Sequence, residues 1–241
     1  MKDAVTSVDV FFLVGELQDK IVNSRVDSVY EAGERTVVFE VFKSGEGKAS
    51  LVVAPDFLCV SQYKRDKPKH PNSFVMQLRK KLKGCFIRGI VQHAFDRIVE
   101  VTLEGGDSKY VLVLEVFSKG NIILLDGERM IIGLLEWQKW RDRKLGVKQA
   151  YEHPPETVNA LSLSGGDVAG ILASSGRDLV RCLAVECGLG GLYAEEVCAR
   201  AKVEKTVKAG ELGDARAKVI GSFESLIGDI SSKKISPRII L

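Results

Sequence analysis

Residues 85–135 read CFIRGIVQHAFDRIVEVTLEGGDSKYVLVLEVFSKGNIILLDGERMIIGLL, and this stretch decides the fold. Apolar side chains alternate with polar ones, as at Val99, Val101 and Leu103, which is the period of a strand with one buried face. Gly-Gly-Asp at 105–107 and Asp-Gly at 126–127 are typical of tight turns between antiparallel strands. The predicted strands cover residues 85–93, 96–103, 109–117, 121–125 and 130–135.

The same pattern continues upstream of this stretch. Four further β-rich runs, separated by glycines or by Pro-Asp at 55–56, cover residues 25–30, 35–42, 49–54 and 57–62. Amphipathic spacing predicts one helix over 7–21, where Thr6 or Ser7 can cap the first turn, and another over 72–82, which Gly84 ends. We therefore predict an α+β domain that is a largely antiparallel two-layer β structure with two helices.

Downstream, the apolar period changes from that of strands to that of helices. Residues 146–166 contain one Pro-Pro pair (154–155) and one Gly-Gly pair (165–166) and show no regular apolar spacing, so we place a domain boundary there. Helices are predicted at 167–174, 176–187, 191–201 and about 212–232, with Asp167 and Asp214 as helix-start acids. The predicted domains are residues 1–155 and a small helical domain at 156–241. The apolar run 236–241 predicts that the chain is part of something longer.

Composition excludes several classes of protein. Of 241 residues, 45% are apolar and 28% charged, which argues against disordered and fibrous chains. No apolar run reaches the ~20 residues of a membrane span, and no signal peptide precedes the first helix, so we expect a cytoplasmic protein. Five cysteines without a C-x-x-C pair, together with only three histidines, predict neither a metal site nor a cofactor.

Basic residues are concentrated around the second predicted helix. Between residues 64 and 88 nine basic residues face the single acid Asp66: Lys64, Arg65, Lys67, Lys69, Arg79, Lys80, Lys81, Lys83 and Arg88. Such a patch suits RNA phosphates, because each neutralised phosphate releases a counterion. The alternative is an ordinary solvated helix face. A second cluster, Lys139, Arg141, Arg143, Lys144 and Lys148, is interleaved with Trp137 and Trp140, which are either RNA-stacking surfaces or core residues.

Two other features are candidates for chemistry. Glycines at Gly188, Gly190 and Gly191 lie between two predicted helices, where backbone N–H groups can bind a phosphate or the helices can pack closely. The Asp96-Arg97 pair stands at a predicted strand start, where the residues alone favour a turn-capping acid beside a surface arginine. Motifs of hydrolases, Walker-type nucleotidases, metalloproteases and dinucleotide enzymes are absent from the sequence, so we expect a binding module and not an enzyme.

Five motifs in order resemble the N-terminal region of NFACT proteins. They are TSVD (6–9), SFVMQLRK (73–80), FDRIV (95–99), GNIILLD (120–126) and YEHPP (151–155). This family includes nuclear export mediator factor, caliban, RqcH and fibronectin-binding protein A-like proteins. The resemblance implies ribosome-associated quality control: binding tRNA and the large ribosomal subunit that carries peptidyl-tRNA, and supporting template-free tailing of the stalled chain. It also implies that Asp9, Asp96 and Arg97 bind tRNA.

The glycine joint also resembles the helix-two-turns-helix of formamidopyrimidine-DNA glycosylases, whose fold is related to the NFACT N-terminal region. A DNA-binding or repair protein is therefore the alternative, and residual DNA binding stays open. The start Met1-Lys2-Asp3 lacks the proline whose amine is the glycosylase nucleophile, and Gly191 stands where those enzymes carry a phosphate-contacting Asn. The resemblance thus implies a glycosylase-like fold without the chemistry.

Overall fold

A computed structural model describes residues 4–63, 65–67, 71–117, 119–140 and 143–233. The contacts divide the chain into two compact units. The first contains Met1–His93 and Arg97–Pro155, and the second contains Glu156–Leu241 together with the short segment Ala94–Asp96. The sequence did not suggest that this segment belongs with the second unit. The predicted run 236–241 lies outside the described residues.

The first unit is built on a nine-stranded antiparallel sheet with two helices. Its elements are α1 (Ser7–Ile21), β1 (Arg25–Glu31), β2 (Val37–Lys43), β3 (Gly47–Ala54), β4 (Phe57–Ser61), α2 (Ser73–Leu82), β5 (Phe86–Gln92), β6 (Ile98–Gly105), β7 (Ser108–Glu115), β8 (Asn121–Leu125) and β9 (Ile131–Leu134). The strand order is β4-β3-β2-β1-β5-β6-β7-β8-β9. The prediction of an α+β domain with a largely antiparallel sheet is confirmed.

The sheet is divided into two halves at β1 and β5. These two strands share one register pair, Arg25 with Phe86, whereas the other neighbouring strands pair over several residues. Helix α1 contacts β4, β5 and β6, and α2 contacts β1 and β9. One apolar core contains residues of both halves, for example Phe39 and Leu51 from one and Val101 and Leu112 from the other. The halves therefore face each other, and each helix joins one half to the other.

Residues that follow β9 cover the other face of β6–β9. A short hairpin of β10 (Gln138–Lys139) and β11 (Lys144–Leu145) was not predicted. Leu145 and Tyr151 are buried against Ile98, Val113 and neighbouring apolar residues of the strands. This covering segment brings distant polar residues onto the sheet.

The second unit is helical. Its α-helices are α3 (Gly165–Ser174), α4 (Leu179–Arg181), α5 (Gly191–Ala201) and α6 (Ala215–Ser231), with 3₁₀ turns at Ala160–Ser162 and Ala209–Glu211. The Ser164 hydroxyl caps α3 in a capping box with Asp167. The helix predicted over 176–187 begins later, at Leu179, and continues as a π-helical turn over Cys182–Glu186. Asp214 precedes α6 but makes no side-chain cap.

Candidate functional site

Asp9 lies in the first turn of α1. Its carboxylate accepts hydrogen bonds from the backbone N–H and the hydroxyl of Thr6, both at 2.7 Å, and its own N–H donates to the Thr6 hydroxyl. This capping box satisfies N–H groups that the helix start would leave unpaired. The Gln92 amide donates to the carbonyl of Ser7 at 2.8 Å. The end of β5 is thereby tied to the helix turn that carries Asp9.

Asp96 and Arg97 lie in a strained turn and not in a strand. The prediction that a strand begins at residue 96 is wrong, because β6 begins at Ile98. Ala94 and Phe95 have φ values of 44° and 61°, a left-handed conformation that side chains with a Cβ disfavour. Consecutive residues of this kind, neither of them glycine, indicate a turn whose shape is maintained by its surroundings. Such strain is concentrated at functional sites.

The turn is also fixed by hydrogen bonds at its base. The His93 N–H donates to the carbonyl of Ile98 at 2.9 Å, and the Val116 N–H donates to the carbonyl of Arg97 at 2.8 Å. The Arg97 guanidinium lies 5.7 Å from the centre of the Phe117 ring, within the range of a cation–π contact. The backbone of Arg97 therefore has a defined position at the ends of β6 and β7.

A polar network in the first unit includes His93, the residue that precedes this turn in the chain. The rings of His93 and His153 are stacked, with centres 3.6 Å apart. Nε2 of His153 lies 2.8 Å from the Glu100 carboxylate, which also accepts two hydrogen bonds from Arg129, at 3.0 and 2.6 Å. The sequence did not reveal this network, because the partners of Glu100 are 29 and 53 residues away.

The charge states of this network follow from burial and from its hydrogen bonds. Burial lowers the pKa of His153, and the hydrogen bond with Glu100 only partly offsets that effect. His153 is therefore a neutral imidazole that donates to Glu100 near neutral pH. Burial alone would raise the pKa of Glu100, but hydrogen bonds from Arg129 and His153 outweigh it and lower the pKa. Glu100 is consequently an anion held by Arg129.

A second buried group lies at the end of β7. Glu115 is fully buried, forms an ion pair with Arg143, and accepts a hydrogen bond from the Tyr151 hydroxyl at 2.9 Å. Arg143 also donates to the carbonyl of Glu152 at 2.8 Å. Burial and the adjacent Glu115 carboxylate raise the pKa of Tyr151, so its hydroxyl stays protonated. This group anchors the covering segment beside the residues that bond to Arg97.

The basic patch around α2 is only partly available to a ligand. Lys80, Lys81 and Lys83 are exposed. Arg79 is also exposed, but its Nε donates to the carbonyl of Val29 at 2.9 Å. Arg88 pairs with Glu104 at 3.3 Å. Lys67 pairs with Glu40 at 3.2 Å, and Lys64 and Lys69 lie outside the described residues.

The second basic cluster is only partly a surface. Trp137 and Trp140 are 62% and 40% exposed, so they are not core residues. Lys139, Lys144 and Lys148 are exposed as well. The prediction that Arg143 belongs to this surface is wrong. Its guanidinium is buried in the ion pair with Glu115 and does not face solvent. Arg141 lies outside the described residues.

The glycine joint has one position that packing requires. Gly188 has a φ of +70°, and a Cβ there would lie 1.9 Å from the carbonyl oxygen of Val158. Gly190, with a φ of +73°, precedes α5, and Gly191 is its first residue. Nothing within 4 Å would meet a Cβ at either of these two. Gly188 is therefore closely packed, against the backbone of the non-helical residue Val158 and not against a neighbouring helix, while Gly190 and Gly191 border open space.

The described ranges hold neither a metal-ligand cluster nor a membrane-spanning helix. These residues contain no group of three or more His, Cys, Asp or Glu side chains placed to share a metal ion. In the same part of the chain, none of the helices combines the length and the apolar character of a membrane span.

Comparisons with known proteins identify relatives. An archaeal Rqc2 homolog, aRqcH from Methanocaldococcus jannaschii, is 33% identical in an alignment of 253 positions. The alignment covers 100% of this chain but 37% of that protein. Ribosome quality control complex subunit 2 from Schizosaccharomyces pombe is 32% identical over 63% of this chain and 15% of its own length. The chain thus spans about a third or less of these relatives.

A solved structure supports the fold, and a family model supports the assignment. The N-terminal part of the fibronectin/fibrinogen-binding protein from Streptococcus suis aligns with a TM-score of 0.76 at 22% identity, over 93% of this chain and 85% of that one. The model described as NFACT N-terminal and middle domains matches residues 6–241. The order of motifs, the fold and these matches agree, and the chain belongs to the NFACT N-terminal family.

Proposed function

We propose that this chain binds tRNA as part of a factor for ribosome-associated quality control. We also propose that the whole factor binds the large ribosomal subunit that carries peptidyl-tRNA. In this proposal the factor supports template-free tailing of the stalled chain. Its support is the family membership and the names of the relatives, which are subunits or homologues in ribosome quality control. We further propose a cytoplasmic protein that binds without catalysing a reaction of its own.

The observation that carries the proposal is the strained turn that presents Asp96 and Arg97. A carboxylate and a guanidinium on a fixed backbone can read the edges of unstacked bases, since an arginine donates to acceptors and an aspartate accepts from amino groups. Left-handed Ala94 and Phe95 cost conformational energy that a plain connection would avoid. Asp9 adds a negative charge near the end of β5 in the first unit, which also contains Arg97.

The exposed lysines supply affinity without selectivity in this proposal. Lys80, Lys81 and Lys83 are exposed, and their ammonium groups can neutralise phosphates of the RNA backbone. The proposal therefore assigns recognition to Asp9, Asp96 and Arg97 and assigns backbone attraction to the basic residues of α2.

Replacing both Asp96 and Arg97 by alanine is expected to weaken tRNA binding about tenfold or more, because base-edge contacts of this kind discriminate by ~1–3 kcal/mol each. The melting temperature should fall only slightly, because the backbone hydrogen bonds at the base of the turn remain while the contact of Arg97 with Phe117 is lost. Fluorescence anisotropy with labelled tRNA and a melting curve measure the two effects. Unchanged affinity, or loss of the fold, would remove the recognition role.

Charge reversal at Lys80 and Lys81 to Glu is expected to weaken binding to all structured RNAs alike. The slope of log affinity against log salt should become shallower by about 1 to 2, because each lost phosphate contact removes about 0.9 from the slope for a duplex and less for single strands. The matched control is Lys109→Glu, an exposed lysine on β7 of the same unit. An identical slope in the variant and the control would exclude the α2 face.

A further inference from the structure

A pocket of about 930 Å³ lies in the first unit, between the end of α1 and one end of strands β2–β4. Its polar lining comes from Lys20, Ser24, Lys43, Glu46, Lys48, Ser61, Gln62, Tyr63 and Arg65. The volume falls within the ~300–1,000 Å³ typical of small-molecule sites. None of the residues proposed to recognise tRNA lines it.

The charges of the lining favour an anion. Among the described residues that line the pocket, four are cations and one, Glu46, is an acid. Glu16 pairs with Lys20 at 2.6 Å, and Glu46 pairs with Lys43 at 2.8 Å. Lys48 is exposed, and NH1 of Arg65 donates to the neutral hydroxyl of Ser61 at 3.2 Å. The four lining cations therefore outnumber the two carboxylates, Glu16 and Glu46, that form ion pairs with them.

Ser24 is a second, independent observation. The residue is fully buried, it lines the pocket, and its hydroxyl has no hydrogen-bond partner among the described residues. Its backbone is fixed, because its N–H donates to the Ile21 carbonyl at 3.1 Å and its carbonyl accepts from Ile87 at 2.9 Å. A buried hydroxyl without a partner is unfavourable. An oxygen of a bound ligand would satisfy it.

An aromatic ring and an apolar wall complete the site. The Tyr63 side chain is 83% exposed beside the pocket, and an exposed ring of this kind is a stacking platform for a nucleobase. Val41, Ala49 and Val60 give the same pocket an apolar wall. Neither feature would be needed for a bare inorganic anion.

We propose that this pocket binds a nucleoside monophosphate. The cations neutralise the phosphate, the Ser24 hydroxyl donates to a ligand oxygen, and the base stacks on Tyr63. This chemistry is shared by a free nucleotide and by a phosphorylated terminal nucleotide of an RNA. The proposal does not depend on tRNA recognition by Asp96 and Arg97.

Calorimetric titration with adenosine monophosphate tests the proposal. The nucleotide should bind with a Kd at or below about 1 mM, equivalent to ~4 kcal/mol. Absence of a binding signal at millimolar nucleotide would overturn the proposal.

Substitutions separate a ligand site from an accidental pocket. Lys48→Glu and Tyr63→Ala should each weaken nucleotide binding about tenfold, whereas Lys109→Glu, an exposed lysine on β7, should not. Ser24→Ala should keep or raise the melting temperature while it lowers affinity. A Ser24→Ala protein that binds as before, or equal affinity in Lys48→Glu and Lys109→Glu, would contradict the proposal.

Competition distinguishes the two sources of the ligand. A short RNA with a terminal phosphate that displaces the nucleotide, when the same RNA without that phosphate does not, assigns the site to an RNA end. Displacement by free nucleotides alone assigns it to a small metabolite. The Asp96→Ala/Arg97→Ala protein should bind the nucleotide normally, so a failure of tRNA recognition would leave this result intact. Failure of every competitor to displace the nucleotide would show binding outside the pocket.

Discussion

Glu115→Ala is expected to lower the free energy of unfolding by about 3–5 kcal/mol, the usual effect of removing one partner from a buried ion pair. Arg143 would keep a buried charge without its carboxylate, and the Tyr151 hydroxyl would lose its acceptor. Because small domains are stable by only about 5–15 kcal/mol, much of the native stability would be lost. Urea denaturation followed by circular dichroism measures the change.

The control is Glu46→Ala, which removes an exposed carboxylate that pairs with Lys43 in the same unit. Exposed ion pairs contribute about 0–1 kcal/mol, so this variant should unfold nearly as the unchanged protein does. Equal stability of the two variants would mean that Glu115 does not anchor the covering segment as described.

Gly188→Ala is expected to destabilise the second unit by about 3 kcal/mol or more, through a steric clash and a strained backbone. The new Cβ, whose position the backbone fixes, would lie 1.9 Å from the backbone carbonyl oxygen of Val158, so no flexible side chain can relieve the clash. The φ of +70° adds strain for any residue other than glycine. Thermal melting and proteolysis measure the loss.

Two neighbouring glycines provide graded controls. Gly190→Ala keeps the left-handed strain, at φ +73°, but meets nothing within 4 Å, and should cost about 1–2 kcal/mol. Gly191→Ala lies at a helical position in open space and should be neutral or stabilising by up to about 1 kcal/mol. If Gly188→Ala melts like Gly191→Ala, the joint is not closely packed.

The regular elements were largely predictable, because alternation and turn residues are local signals. The strand predicted over 109–117 is β7, Ser108–Glu115, and the predicted second helix is α2, Ser73–Leu82. The beginning of β6 was predicted two residues early. Nothing in the sequence at Ala94 and Phe95 indicates a positive φ. In the folded chain Phe95 is buried, and this packing, which the sequence does not reveal, accompanies the left-handed conformation.

The polar groups near the site could not be predicted from spacing. Glu100 stands on the face of a predicted strand that the alternation assigns to polar residues, yet its partners Arg129 and His153 come from later segments. The sequence predicts Arg143 as a member of a basic RNA-binding cluster, whereas the unpredicted β10–β11 hairpin and the following segment place it beside Glu115. Both groups of contacts form because the segment after β8 folds back over one face of the sheet. The tRNA-binding roles of Asp9, Asp96 and Arg97 stay predictions.

The most direct test of the central claim is a competition experiment with labelled tRNA bound to this chain over a range of salt concentrations. The competitors are a DNA duplex with an abasic site and a structured RNA of the same length as the tRNA. We predict that neither competitor displaces tRNA efficiently from the unchanged protein and that Asp96→Ala/Arg97→Ala removes this preference. Stronger binding of the DNA duplex, or equal binding of all three in the unchanged protein, would contradict selective recognition of tRNA by this turn.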